Sequence, residues 1–137
     1  MSGKSRTRVS GRRGKRTRTA SSGVRRRGWG SAVKTVYDGV LYASKAEARY
    51  AQHLDLLKAA RQIRGWERQV RWPLIVEGVK ICTIVPDFKV LKKGGGFKIV
   101  EVKGFVTPVW RLKRKLFEAL HPEVEYVVVR ASETGGL

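Results

Sequence analysis

Pro86-Asp87-Phe88-Lys89-Val90-Leu91-Lys92-Lys93-Gly94-Gly95-Gly96-Phe97-Lys98-Ile99-Val100-Glu101-Val102-Lys103 is the stretch whose reading decides the fold. Phe97 to Lys103 alternates and is β-branched, which suits a half-buried strand. Asp87 to Leu91 has the same character. Between them, Lys92 to Gly96 reads as a hairpin turn, because glycine takes the positive φ that tight turns need. Antiparallel pairing across that turn brings Asp87 beside Glu101. Side chains alternate along a strand, so Glu101 and Lys103 share one face while Val102 points into a core on the other. Two neighbouring carboxylates repel, which raises one pKa unless a cation lies between them. Mg²⁺, with Mn²⁺ as a substitute, is a hard cation suited to such oxygen donors. It would polarise a phosphate and activate water. Lys103 would orient that water or stabilise the charge that develops.

The neighbouring segments supply the rest of the frame. Val36 to Tyr42 carries Asp38-Gly39 between two apolar runs, a hairpin signal. Ser44-Lys45-Ala46-Glu47 has the spacing of a capping box, so a helix starts at Ser44. Tyr50, Ala51, Leu54, Leu57 and Ile63 continue it on one apolar face, and Gly65 is expected to end it. Val70–Val76 and Lys80–Val85 read as strands around a Glu77-Gly78 turn. A second helix is expected over Val109–Leu120, with Leu112, Leu116 and Ala119 or Leu120 inward and Arg111, Lys113, Arg114 and Lys115 outward. Val124–Val129 is the last strand, and the chain beyond it is expected to fray. The fold class that follows is α/β: a mixed central sheet flanked by helices.

Charge divides the 137 residues unevenly. Residues 1–37 hold twelve of the thirty Lys/Arg and none of the eleven acids, so they contribute +12 of the net +19. Residues 1–30 are rich in Arg, Ser and Gly and offer little to bury, so they are expected to be a disordered basic arm before a domain at 31–137. Arg25, Arg26 and Arg27 are its densest charge and are expected along phosphates; a solubilising arm or a nuclear-type signal is the plainer alternative. So large a positive charge calls for a polyanionic partner, nucleic acid first. No apolar run approaches the roughly 20 residues of a membrane span. No signal peptide is visible, and the transit-peptide-like composition lacks apolar residues for an amphipathic helix. Cys82 is the single cysteine, expected to be buried, which excludes an intrachain disulfide and suits a cytoplasmic location.

Pro86-Asp87, followed fourteen positions later by Glu101-Val102-Lys103, resembles the motif of the PD-(D/E)XK nuclease superfamily. From Tyr37 to Phe117 the chain is similar, segment by segment, to a phage and prophage family within it. The pieces that carry this are Tyr37-Asp38-Gly39, Ser44-Lys45-Ala46-Glu47-Ala48, Gln69, Pro86-Asp87-Phe88, Val100-Glu101-Val102-Lys103-Gly104 and Leu112-Lys113-Arg114-Lys115-Leu116-Phe117. The resemblance implies a restriction-endonuclease-like core in a phage-encoded protein of the bacterial cytoplasm. It implies a homodimeric, Mg²⁺-dependent endonuclease that resolves Holliday junctions in branched double-stranded DNA, leaving 5′-phosphates. Glu47, Asp87, Glu101 and the Val102 carbonyl match the metal site. Lys103 matches the catalytic lysine, and Gln69 a polar residue near the site. Lys113 and Lys115, with Arg114, match phosphate contacts.

Each residue also has a bland explanation. A capping box accounts for Glu47, a strand end for Asp87, and a cross-strand ion pair for Glu101 and Lys103. A solvated helix face accounts for the Lys113–Lys115 cluster. His53 and His121 lack a second ligand at metal spacing. No serine has a Gly-x-Ser-x-Gly context, which excludes that hydrolase type. Trp66, Trp72 and Trp110 read as core or partly buried residues; Trp29 has a place in base stacking only beside the basic arm. The competing functions are another nuclease of the same fold, nicking or transposon-end cleaving, and a non-catalytic basic nucleic-acid-binding protein.

Overall fold

The computed structural model describes residues 32–137. The expectations for residues 1–30, with Arg25, Arg26, Arg27 and Trp29, lie outside the described residues. The chain opens with a hairpin of β1 (Thr35–Tyr37) and β2 (Val40–Tyr42). Its turn puts both Asp38 (φ 48) and Gly39 (φ 72) in the left-handed region, as a two-residue turn with Asp-Gly requires.

Helix α1 (Lys45–Ala59) starts where the sequence places it. The Ser44 hydroxyl accepts the Glu47 N–H at 3.1 Å and satisfies one of the open donors of the first turn. Ser44→Ala is expected to cost about 1 kcal/mol of stability, read as a lower denaturant midpoint at unchanged slope; an unchanged midpoint would show that the cap is dispensable.

The helix ends earlier than expected. Gln62 N–H donates to Leu57 O and Arg61 N–H to Lys58 O, which closes a Schellman motif. The left-handed position is occupied by Arg61 (φ 57), not glycine. Gly65 therefore ends no helix. It is buried within a strand, β3 (Ile63–Arg68), that the sequence reading assigned to the helix and its end.

β3 is followed by the hairpin β4 (Trp72–Val76) and β5 (Val79–Ile84), then β6 (Phe88–Lys92) and β7 (Phe97–Lys103). Helix α2 (Pro108–Leu120) crosses over to β8 (Glu125–Arg130). Thr107 caps it and Pro108 occupies its first turn, where a missing N–H costs nothing. The main sheet runs β3-β6-β7-β8, with β7 and β8 parallel and the other pairs antiparallel. The architecture is mixed α/β, a mixed sheet flanked by helices, as expected from the sequence. No helix among the described residues is long and apolar enough to cross a membrane.

β7 divides the core by alternation. Val100 and Val102 pack with Phe88, Val90 and the α1 residues Ala48, Tyr50, Ala51 and Leu54. Ile99 packs on the other face with Leu74, Ile84 and Phe117. Leu57 and Ile63 flank the first cluster, although Ile63 does so from β3.

The inward face of α2 is turned by one position from the expected one. Phe117 is its buried residue, with Leu116 and Leu120 beside it. Leu112 is 69% exposed and Ala119 is also exposed, while Lys113 and Arg114 are half-buried. The face that packs follows Trp110, Lys113 or Arg114, Phe117 and Leu120, where lysine and arginine stems cover apolar surface. Two further expectations are corrected. Cys82 is only partly buried. The end of the chain does not fray, because Ala131–Gly136 forms a 3₁₀ turn against α1 with Thr134 buried.

Candidate active site

Asp87 lies just before β6, where the β6–β7 ladder stops. The last ladder pair is Phe88 with Val100, so the N–H of Val102 has no backbone partner on β6. The Asp87 carboxylate replaces it, accepting the Val102 N–H on Oδ2 at 2.8 Å. The neighbouring chain fixes Asp87 from the other side: Gln69 N–H donates to the Asp87 carbonyl at 2.9 Å. Gln69 adopts a left-handed φ of 51 to do so, directly after β3, with its side chain exposed. A polar residue beside the site was expected at Gln69; what places it there is its backbone.

A strand residue directs its N–H and C=O to the same edge. The Val102 carbonyl therefore faces the Asp87 side of β7, while its side chain is buried in the core. Among the described residues, Asp87 Oδ1 takes no hydrogen bond. Its carboxyl pKa is raised from 3.8 to about 7, chiefly by burial. The Val102 N–H opposes that shift, the charges of Glu47 and Glu101 add to it, and Lys103 opposes it. Glu47 and Glu101 thus both act on the Asp87 carboxyl.

Glu101 is 3% exposed, so this carboxylate is enclosed. Both of its oxygens are occupied. Lys103 Nζ lies 2.5 Å from Oε1, and the Tyr126 hydroxyl donates to Oε2. Burial, and then this bond, push the Tyr126 pKa upward. The shared face of Glu101 and Lys103 follows from strand alternation, as read from the sequence. Tyr126 was missed. The signal lay in the parallel register, which pairs Ile99 with Tyr126 and so sets Tyr126 on the Glu101 face of the sheet.

Glu47 does not make the reciprocal bond of a capping box. Its Oε1 instead accepts the Ser44 hydroxyl at 3.3 Å, and the side chain is half-buried. The capping role therefore does not use up this carboxylate. Lys113 points away from the site, with Nζ donating to Thr83 O at 3.0 Å. Arg114 pairs with Glu118 at 2.9 Å, and Lys115 is exposed.

Among the described residues, no three His, Cys, Asp or Glu stand together as a ready metal cage. The donor chemistry nevertheless fits a hard divalent cation. Asp87 offers a free oxygen, Glu47 a second carboxylate, and the Val102 carbonyl lies on the same side. Glu101 is held by Lys103 and Tyr126, so it joins only if one of them yields an oxygen.

The chain belongs to the family described as protein of unknown function (DUF1064), whose match spans residues 29–134. No curated protein matches it, and no solved structure does.

Proposed function

We propose that this protein is a metal-dependent DNA endonuclease of the PD-(D/E)XK type, acting on branched duplex DNA and most of all on Holliday junctions. The observation that carries the reading is the junction of Asp87 and Glu101 where β6 and β7 part, with Lys103 on Glu101 and the Val102 backbone on Asp87. Ordinary strand-end or ion-pair roles do not require a partly buried aspartate with a free oxygen and a pKa near 7. Such carboxylates cluster where charge has work to do.

Glu47, Asp87 and the Val102 carbonyl would hold Mg²⁺, or Mn²⁺ in its place, and Glu101 would join them where Lys103 or Tyr126 yields an oxygen. When bound, the cation supplies Lewis acidity toward the scissile phosphate and acidity to water. Lys103 brings a fixed ammonium to the phosphoryl oxygens as their charge grows. Tyr126 keeps the Glu101 carboxylate in one orientation. Gln69 holds the Asp87 backbone, so its carboxylate stays over β7. In-line attack of water on phosphorus breaks the bond to the 3′ oxygen and leaves a 5′-phosphate. Two copies about a two-fold axis would cut opposing strands of a junction. Recognition through phosphates follows shape and not base sequence. A phage-encoded enzyme working in the bacterial cytoplasm fits this reading.

A panel of labelled four-way junction, nicked duplex, transposon-end duplex and linear duplex tests the substrate. Preferential cutting of the junction into nicked duplex products is expected. Equal cutting of linear duplex and junction would remove the resolvase assignment and leave another endonuclease of this type.

A further inference from the structure

A groove of about 980 Å³ runs between the first turns of α2 and the end of β8, and Lys103 stands in its wall. Its lining includes Arg111, Arg114, Lys115 and Arg130, with Glu118 as the opposing charge. Glu118 is taken by Arg114, and Lys103 is taken by Glu101. Among the described residues the side chains of Arg111, Lys115 and Arg130 make no ion pair, and all three residues are exposed, although the Glu133 carboxylate accepts the Arg130 backbone N–H at 3.1 Å. The groove therefore carries an excess of positive charge, five Lys/Arg side chains against Glu118 in its lining, with Glu133 beside Arg130.

Its floor is aromatic. Trp110 lies beneath two cations, with Lys103 at 5.1 Å and Arg114 at 5.7 Å from the ring centre. Arg114 also sits 5.4 Å from the Tyr126 ring centre. Such stacking adds to the Glu101 and Glu118 ion pairs in fixing these two long basic side chains. Trp110 Nε1 is buried; it faces the Tyr126 hydroxyl without reaching a hydrogen bond of good geometry. Val106, Val128 and Ala131 complete the wall. A concave apolar wall rimmed by one sign of charge concentrates the potential inside it. A small-molecule site of this size would be mostly apolar with few polar groups. This one suits a polyanion passing through.

We infer that this groove binds the sugar–phosphate backbone of DNA beside the cleavage site, with Arg111, Lys115 and Arg130 as phosphate ligands and Arg114 held ready by Trp110. The inference rests on the nuclease reading for its choice of nucleic acid over an acidic peptide, since the groove reaches the proposed site at Lys103. It separates α2 into a binding side and a structural side. Lys113, two residues from both Arg111 and Lys115, is absent from the groove and spends its ammonium on Thr83. A merely solvated basic helix would make no such distinction.

The test measures binding of the full chain to a labelled four-way junction in EDTA over a series of salt concentrations, so catalysis plays no part. R111Q/K115Q/R130Q is expected to weaken binding and to flatten the plot of log affinity against log salt by about 2 to 3, at about 0.9 per lost phosphate contact. K113Q should leave the slope as it is, and R111K/K115R/R130K should keep it. An unfolding midpoint for each protein separates lost binding from a lost fold; if the triple Gln variant is unfolded, Arg130→Gln alone should still reduce the slope by about 0.9. An unchanged slope in the folded Gln variants overturns the groove, as does an equal loss in K113Q. So does intact junction binding with loss only of poly-glutamate binding. If wild type cuts nothing in Mg²⁺ while the groove variants still lose binding, the nuclease reading falls and the groove stands.

Discussion

Asp87→Asn is expected to lower junction cleavage by about a hundred- to a thousandfold while making the metal-free protein more stable, not less. The two effects share one cause. Folding places the Asp87 carboxyl in a partly buried position near Glu47 and Glu101 and raises its pKa from 3.8 to about 7. The folded chain then holds this proton more tightly than the unfolded chain does. Stability from this group is full below about pH 4, falls as pH rises toward 7, and is level above that. The loss amounts to at most about 4 kcal/mol. Asparagine removes the charge but still offers an oxygen to the Val102 N–H. A difference plot of wild-type and variant stability against pH should therefore slope between pH 4 and 7, with the variant ahead at pH 8. Mg²⁺ should raise the melting temperature of wild type at pH 8 by binding the folded state, and should do so far less for the variant. A flat difference plot would contradict the partly buried Asp87 carboxyl beside Glu47 and Glu101. An equal metal response would remove Asp87 from the metal site.

Phe117→Ala is expected to destabilise the fold by about 3–5 kcal/mol, enough to unfold a marginal domain at physiological temperature. Phe117 is fully buried, with the rings of Trp72, His121 and Tyr126 packed against it at centroid distances of 5.3, 5.1 and 5.4 Å. The α2–sheet contact depends on this residue, since no other residue of α2 is fully buried. Loosening it would also release Tyr126 from Glu101 and shift the basic groove. Leu112→Ala provides the contrast. The sequence alone nominates Leu112 as an inward residue of α2, but it is 69% exposed, and its truncation should cost no more than about 0.5 kcal/mol. Chemical denaturation of both variants checks the assignment. Equal losses would mean that the helix packs on the face first read from the sequence.

How far the sequence carries depends on how local each cause is. The β6–β7 hairpin was legible because glycines, alternation and turn length are all local. So was the shared face of Glu101 and Lys103, and so was the Ser44 cap. β3 was hidden because Arg61 takes the left-handed position where glycine is the usual sign, leaving Gly65 as a false stop. The turn of α2 was hidden because lysine and arginine stems cover apolar surface that a hydrophobic count assigns to leucine. Tyr126 and the groove depend on the register between β7 and β8, set by a crossover helix and not by any local signal. Within the site, the meeting of Asp87 with Glu101 was readable. The enclosure of Glu101 was not, because Tyr126 comes to it from β8, a separate strand brought alongside β7 in space.

The proposal that Asp87 and Glu101 build a metal-dependent phosphodiesterase centre is open to direct measurement. It is tested most directly by incubating the full chain with a 5′-labelled four-way junction in Mg²⁺, in Mn²⁺ and in EDTA, beside Asp87→Asn. Symmetric nicks with 5′-phosphate ends are expected from wild type in either metal, none in EDTA, and bound but uncut junction for the variant. Intact junction from wild type in both metals, or equal cutting by the variant, would contradict it.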